Sequence, residues 1–73
     1  MTTLAELAIG QRSRVVRVEG SDAVALRLLE MGVTPGVEIE IIGTAPLGDP
    51  LELELRGYRL SVRRNEAGRI VVE

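Results

Sequence analysis

Residues 26–36, LRLLEMGVTPG, decide how the middle of this chain folds. A run of good helix formers leads to Gly32, which stands where a helix ends on a left-handed residue that glycine adopts without steric cost. Val33 is then placed to fold back on the last helical turn. Pro35 prevents the helix from resuming, and Pro35-Gly36 fits the two central positions of a type II turn. The stretch therefore predicts a helix end, a tight turn and the start of a strand.

The helix that leads into this exit is expected from Asp22 to Met31, with Ser21 as its N-cap. Its apolar arc contains five residues that should face the core: Val24, Ala25, Leu28, Leu29 and Met31. Leu26 lies outside that arc, because a rotation of about 100° per residue places it between Asp22 and Glu30. Leu26 is therefore predicted to be exposed unless a partner covers it.

Apolar and polar residues alternate with period two on both sides of the helix. This alternation predicts five strands: Ser13 to Glu19, Val37 to Ile42, Leu51 to Leu55, Tyr58 to Arg63 and Arg69 to Glu73. In the first strand, Val16 and Val18 alternate with charged residues and should share one apolar face. A two-residue turn at Arg56-Gly57 should place Leu53 opposite Leu60 and Glu54 opposite Arg59.

Three short segments connect or precede these elements. Residues 3–7 are expected to form a turn in which Leu4 and Leu7 face the core. A loop is expected from Gly43 to Pro50, and a turn from Asn65 to Gly68. The fold class is therefore mainly β: a small SH3-like five-stranded barrel with one short helix between strands 1 and 2. Closure is expected because an open sheet would leave two unpaired edges.

The composition indicates one folded domain, residues 1–73. Of the 73 residues, 45% are hydrophobic and 27% are charged, which is typical of a globular chain. Phe and Trp are absent and Tyr58 is the single aromatic residue, so the core must be aliphatic. There is no cysteine and therefore no disulfide.

The charge pattern excludes several kinds of partner. The net charge is −2, and all nine basic residues are arginine. This balance argues against a nucleic-acid partner, since such binding normally needs a basic patch. There is no polybasic signal for a membrane surface, no apolar run long enough to insert in a bilayer, and no signal-peptide pattern. A cytoplasmic protein is expected.

Catalysis is not expected, because the chain has no His, Cys or Lys to activate a nucleophile. No catalytic residue and no cofactor is therefore assigned. Residues 43–48, GTAPLG, do not form a P-loop, since they lack the Gly-Lys-Ser/Thr ending and open no helix.

Direct metal binding is the other chemical function to weigh. Glu38 with Glu40, and Glu52 with Glu54, share outward strand faces. Iron(II) sites usually combine imidazole with carboxylate, and no imidazole is present. The ordinary explanation is a polar strand face partly neutralised by arginine, so no metal site is assigned.

Three segments together resemble the FeoA family: residues 28–36 (LLEMGVTPG), 41–50 (IIGTAPLGDP) and 55–63 (LRGYRLSVR). The resemblance extends from Leu4 to Val72. It implies a bacterial, non-enzymatic accessory or regulatory protein of ferrous-iron transport, which docks on a FeoB-type membrane transporter with a cytoplasmic G-protein region. The same SH3-like domain occurs at the C-terminus of diphtheria-toxin-repressor-type regulators. An alternative is therefore a transition-metal-responsive interaction module.

Five residues are predicted to bind a protein partner: Leu26, Leu47, Arg56, Tyr58 and Arg59. Leu26 and Leu47 are predicted to be exposed apolar residues, and exposed apolar patches can mark interfaces. Tyr58 beside two arginines is a combination enriched at binding hot spots. Single exposed leucines are also ordinary, and Tyr58 can equally pack over the rim of the fold. Self-association through Leu26 is left open.

Overall fold

Six antiparallel strands form one sheet in the computed structural model, which describes residues 2–73. The strands are β1 (Thr2–Thr3), β2 (Arg12–Val18), β3 (Glu38–Thr44), β4 (Leu51–Leu55), β5 (Tyr58–Val62) and β6 (Ile70–Val72). Their order across the sheet is β1-β6-β2-β3-β4-β5. Two α-helices, α1 (Ala23–Glu30) and α2 (Arg64–Ala67), and two 3₁₀ turns, Leu4–Glu6 and Pro46–Gly48, connect the strands.

The prediction of a mainly β fold is confirmed, but the prediction of a closed five-stranded barrel is wrong. β1 and β5 lie at opposite ends of the sheet and do not pair with each other. The β1 edge is two residues long and the β5 edge is five residues long. Thr2–Thr3 adds a strand that is too short for alternation to reveal, so helix α1 follows the second strand and not the first.

Strand β2 joins the two halves of the sheet. Residues 12–14 pair with β3, whereas Val15 and residues 17–18 pair with β6, and the register shifts between Val15 and Arg17. This bulge lies just beyond the point where β2 changes its paired neighbour from β3 to β6. It also corrects the predicted face of the strand, because Val15 is buried and Val16 is exposed.

The core is aliphatic, as the composition predicted. Its largest fully buried side chains come from nearly every element: Leu4, Leu28, Val33, Ile39, Ile41, Leu51, Leu53, Leu55, Val62 and Ile70. Leu4 is buried in the first 3₁₀ turn and Leu7 packs partly against the same cluster, which confirms the expectation for residues 3–7. The predicted turn at residues 65–68 is largely a single helical turn, α2, with Ala67 buried.

Helix α1 begins one residue later than predicted. Its N-cap is Asp22 and not Ser21, because Asp22 has the extended backbone of a cap and its carboxylate accepts the Ala25 N–H at 3.1 Å. Only Ala25 and Leu28 of the helix are buried, and Leu29 is 38% exposed. The placement of Leu29 in the core was therefore wrong, since this eight-residue helix contacts the core along a narrow stripe.

The end of α1 confirms the predicted exit. The Val33 N–H donates to the Leu28 carbonyl and the Gly32 N–H donates to the Leu29 carbonyl, each at 3.0 Å. With Gly32 at φ +100° and Val33 fully buried, this is a Schellman motif. Immediately afterwards, the Val37 N–H bonds the Thr34 carbonyl at 3.1 Å and closes the predicted turn.

Candidate functional site

Three of the five predicted docking residues lie on the β4–β5 hairpin. Arg56 and Gly57 both have positive φ, 50° and 83°, and form its two-residue turn. The register places Leu53 opposite Leu60 and Glu54 opposite Arg59, as predicted. Arg56 therefore stands at the hairpin tip, and Tyr58 is the first residue of β5.

Tyr58 lies against the exit of helix α1. Its hydroxyl donates to the carbonyl oxygen of Met31, the C-cap residue, while 40% of the residue stays exposed. A Cβ at position 32 would collide with the Tyr58 hydroxyl and lie 3.5 Å from its ring carbon Cζ. A side chain at position 32 would thus displace the Tyr58 hydroxyl, in addition to straining the left-handed backbone. The sequence pattern indicated only the backbone requirement.

Arg56 reaches the same segment from the hairpin tip. Its guanidinium donates to Thr34 Oγ1 at 3.0 Å. A shallow groove of about 540 Å³ opens beside it, lined by Arg56 and residues 35–38. Arg56 and Tyr58 therefore form one surface with the residues that follow α1, which we call the exit surface: residues 31–36 with Arg56 and Tyr58.

Arg59 lies in a row of charges that crosses the outer face of four strands. Arg12 pairs with Glu40 at 3.2 Å, Glu40 is opposite Glu54, and Glu54 is opposite Arg59. Arg12 also approaches Glu38 at 3.9 Å. Within residues 2–73, no group of three or more His, Cys, Asp or Glu side chains is arranged to hold a metal ion. The row is a polar sheet face on which arginine offsets carboxylate.

Leu26 lies on α1 and is 57% exposed, as its position on the helix predicted. Leu29 is three residues further along the chain, and residues with this spacing are neighbours on a helix surface. The two leucines therefore form an apolar strip on the outer side of α1. The helical periodicity did not predict the exposure of Leu29, because the position of this residue fits the apolar arc that was expected to face the core.

Ion pairs hold α1 in place at its start and near its middle. At its start, the two terminal nitrogens of the Arg69 guanidinium, Nη1 and Nη2, bond the Asp22 carboxylate, Nη2 at 2.8 Å. Hydrogen bonds from Arg69, and then from the Ala25 N–H, lower the pKa of Asp22 from 3.8 to about 2. Further along the helix, Arg27 pairs with Glu66 of α2. The strip is thus presented by a fixed helix.

Leu47 is fully exposed at the tip of the second 3₁₀ turn. Its φ is +73°, in the left-handed region that leucine rarely adopts. The turn is nevertheless held firmly. The Arg64 guanidinium donates to the Gly48 carbonyl at 2.9 and 3.2 Å, and the Arg64 N–H donates to Asp49 at 3.0 Å.

The five predicted residues therefore do not form one contiguous group through their own contacts. Arg56 and Tyr58 meet at the exit surface, and Arg59 follows on the outer face of β5. Leu26 and Leu47 lie on two other elements.

Within residues 2–73, no helix is both long and apolar enough to cross a membrane.

The sequence matches the FeoA domain over residues 2–73. A curated relative from Porphyromonas gingivalis, named Fe(2+) transport protein A/Fe(2+) transporter FeoB fusion protein, is 41% identical over 70 residues. The alignment covers 96% of this chain and 8% of that protein. The chain therefore corresponds to a small part of this relative.

Solved structures of similar proteins have the same fold. The solution structure of a FeoA protein from Chlorobium tepidum is 41% identical, with a TM-score of 0.89 over 97% of this chain and 68% of that one. The crystal structure of Stenotrophomonas maltophilia FeoA complexed with zinc, described as an SH3 domain protein, is 34% identical. Its TM-score is 0.88, over 100% of this chain and 91% of the other. The SH3-like part of the fold prediction is thereby confirmed.

ScaR, whose crystal structure was solved with bound Cd²⁺, is only 23% identical, with a TM-score of 0.86 over all of this chain and 35% of that one. At this identity the likeness concerns the fold alone. The FeoA match, in contrast, spans every residue from 2 to 73, and it is supported by relatives more than 30% identical. This chain belongs to the FeoA domain family, which is associated with ferrous-iron transport.

Proposed function

We propose that this chain is a non-enzymatic accessory and regulatory protein of ferrous-iron transport that docks on the cytoplasmic region of a FeoB-type transporter. The observation that carries the proposal is the Porphyromonas gingivalis relative, in which a segment 41% identical to this chain belongs to the same polypeptide as a transporter. Covalent linkage raises the effective concentration of one part near the other. A high effective concentration is an advantage when the two linked parts bind each other.

The apolar strip of Leu26 and Leu29 is the first surface that we assign to docking. These leucines are 57% and 38% exposed on a helix whose start and middle are held by ion pairs, so little order has to be gained on binding. Covering the exposed part of one leucine contributes on the order of 1 kcal/mol. The strip therefore supplies part of the affinity, and further contacts are required.

The exit surface is the second surface that we assign to docking. Tyrosine and arginine, which occupy positions 58 and 56, are among the residue types that most often dominate the binding energy of an interface. Both are already ordered, Tyr58 by the Met31 carbonyl and Arg56 by Thr34. A partner that covers the Tyr58 ring does not have to restrict a freely rotating side chain.

Docking regulates transport only when the partner's states differ in affinity for this chain. A G-protein region changes conformation between its nucleotide states, and reciprocity then requires that nucleotide changes docking as much as docking changes nucleotide affinity. We therefore expect the amount of complex to depend on guanine nucleotide.

The test is co-purification of tagged full-length protein with the detergent-solubilised FeoB-type transporter of the same genome. It is performed without nucleotide, with GDP, and with a non-hydrolysable GTP analogue. The expected result is a complex whose yield differs between the nucleotide conditions. A transporter without its G-protein region is the control and should not be captured. Absence of a complex in all three conditions would refute the proposal.

A further inference from the structure

Strand β5 is the last strand of the sheet, and one side of its backbone has no neighbouring strand. The β4–β5 register begins with Leu55 opposite Tyr58 on either side of the two-residue turn. In such a hairpin the pair next to the turn is hydrogen-bonded, and bonded and non-bonded pairs then alternate. The N–H and C=O groups of Arg59 and Ser61 therefore point away from β4. No other hydrogen bond within residues 2–73 engages these four groups.

The side chains on the outer face of this edge are basic. Arg59 and Arg63 are exposed, and neither takes part in an ion pair with another residue of the range 2–73. Ser61, between them, donates its hydroxyl to Glu52 at 2.7 Å and is neutral. On this face, the nearest charged neighbours of an added strand would therefore be the two arginines, while Glu52 and Glu54 lie one strand further away, on β4.

A groove of about 380 Å³ runs beside the same strand, bounded by α1 and α2. Its lining includes Met31 and Pro50 as well as Ser61 and Arg63 of the edge. Met31, which packs partly against the core, and Pro50 supply the apolar part of the lining, and the Arg27–Glu66 ion pair contributes to the rest. Side chains of an added strand alternate between its two faces, so every second residue could enter this groove.

We propose that the free edge of β5 binds an extended acidic segment of a partner protein as a seventh strand. Backbone groups of the segment bond Arg59 and Ser61, its carboxylates pair with Arg59 and Arg63, and alternate apolar side chains contact Met31. The inference rests on the proposed function in taking a protein as the partner, and it adds the form and charge of the docked segment. Recognition of this kind takes its affinity from the main chain and its specificity from alternate side chains.

A second copy of this chain fits the edge less well. Pairing two β5 strands would bring the Arg59 and Arg63 side chains of both copies to the same face, and like charges across strands are destabilising. The opposite edge of the sheet, β1, has only two residues and cannot support a comparable ladder.

Proline at position 61 tests the proposal directly. The Ser61 N–H points outward, so Ser61→Pro removes a donor for the added strand without removing a bond to β4. Ser61→Ala is the matched control, because it removes the hydroxyl and keeps the N–H. Charge reversal at both arginines, Arg59→Glu with Arg63→Glu, is a second test that leaves the backbone unaltered.

The probes are overlapping 12-residue peptides that span the cytoplasmic parts of the FeoB-type transporter, measured by fluorescence anisotropy. Amide hydrogen exchange of the labelled protein, followed by NMR, locates the bound peptide. We expect acidic peptides to bind, and the Arg59 and Ser61 amides to become protected on binding. Ser61→Pro and the charge-reversed variant should each bind about tenfold more weakly or worse, and Ser61→Ala about as well as the original protein.

The inference and the proposed function can fail separately. Capture of the intact transporter by the original protein and by Ser61→Pro alike, with no peptide that protects Arg59 and Ser61, would overturn the inference and leave the proposed function standing. Binding of basic peptides in preference to acidic ones, or a dimer held by β5 in sedimentation, would also overturn it. Failure to capture the transporter concerns the proposed function, because the peptide measurement is independent of that complex.

Discussion

The hydroxyl of Tyr58 donates a hydrogen bond to the carbonyl oxygen of Met31, the residue that caps helix α1. The last carbonyls of a helix lack partners within the helix, so this bond satisfies one of them. It also joins the start of β5 to the end of α1 across 27 positions of sequence. The hairpin and the helix exit are therefore one mechanical unit, and Gly32 is the residue that allows them to approach.

Two substitutions test this unit. Tyr58→Phe removes the hydrogen bond and should lower the free energy of unfolding by about 1 kcal/mol. Gly32→Ala should lower it more, since a left-handed alanine costs about 1–2 kcal/mol and its Cβ also collides with the Tyr58 hydroxyl. In the double variant the collision is absent, so the combined loss should be smaller than the sum. Urea unfolding of the four proteins measures this, and strictly additive losses would contradict the close approach.

The Asp22–Arg69 pair should make stability depend on acidic pH. The pKa of Asp22 is about 2 in the folded chain against an ordinary 3.8, chiefly because Arg69 bonds its charged form. Because the pKa of Asp22 is lower in the folded chain than in the unfolded chain, the ionised carboxylate stabilises the fold at pH values above about 4. This stabilisation is lost as the pH falls from about 4 to about 2. Asp22→Asn should flatten the pH dependence of urea unfolding across that range.

Glu6 is a second carboxylate whose pKa is lowered in the folded chain, and it provides the control for Asp22. Hydrogen bonds from Thr3, first from its backbone N–H, hold the pKa of Glu6 below its ordinary value. Glu6→Gln should therefore remove a separate part of the acid dependence and leave the part due to Asp22. A pH profile unchanged by Asp22→Asn would show that the ion pair is not retained in solution.

Leu26→Arg should abolish capture of the transporter while the melting temperature stays nearly unchanged, because the side chain is 57% exposed. Ile9→Arg is the matched control, since Ile9 is another large apolar residue, 63% exposed, on a connecting segment. It should neither unfold the protein nor impair capture. Equal loss of capture in both variants would point to a general charge effect and not to a surface on α1.

Leu47→Asn tests whether the exposed leucine at the tip of the second 3₁₀ turn contributes to binding of the transporter. Leucine with a left-handed backbone costs roughly 1–2 kcal/mol, and asparagine tolerates this conformation better. The variant should therefore be as stable as the original protein or more so, while its capture of the transporter weakens several-fold. Reduced stability in a thermal melt would mean that Leu47 has a structural role instead.

Local chemistry made the helix exit and the hairpin predictable from sequence. Gly32 with Pro35, and the Arg56-Gly57 pair, specify their turns through backbone preferences that act within a few residues. The errors came from tertiary structure. The bulge that exposes Val16 depends on which two strands pair with β2. Whether the sheet closes depends on its two edge strands, which are far apart in the chain.

The residues proposed for docking show the same division. The exposure of Leu26 follows from helical geometry and was predicted, whereas that of Leu29 depends on how narrowly α1 contacts the core. The approach of Tyr58 to Gly32 joins residues distant in sequence and leaves no periodic signal. Whether these surfaces bind a transporter is a prediction that the capture experiments address.

Thr2 and Val72 are directly opposite each other, on the neighbouring strands β1 and β6. The first and last strands of residues 2–73 therefore lie side by side at one edge of the sheet. Domains with adjacent ends tolerate insertion into a host chain and circular permutation, because neither operation pulls the core apart. A tether attached at this place would also leave β5 untouched, because β5 lies at the opposite edge of the sheet.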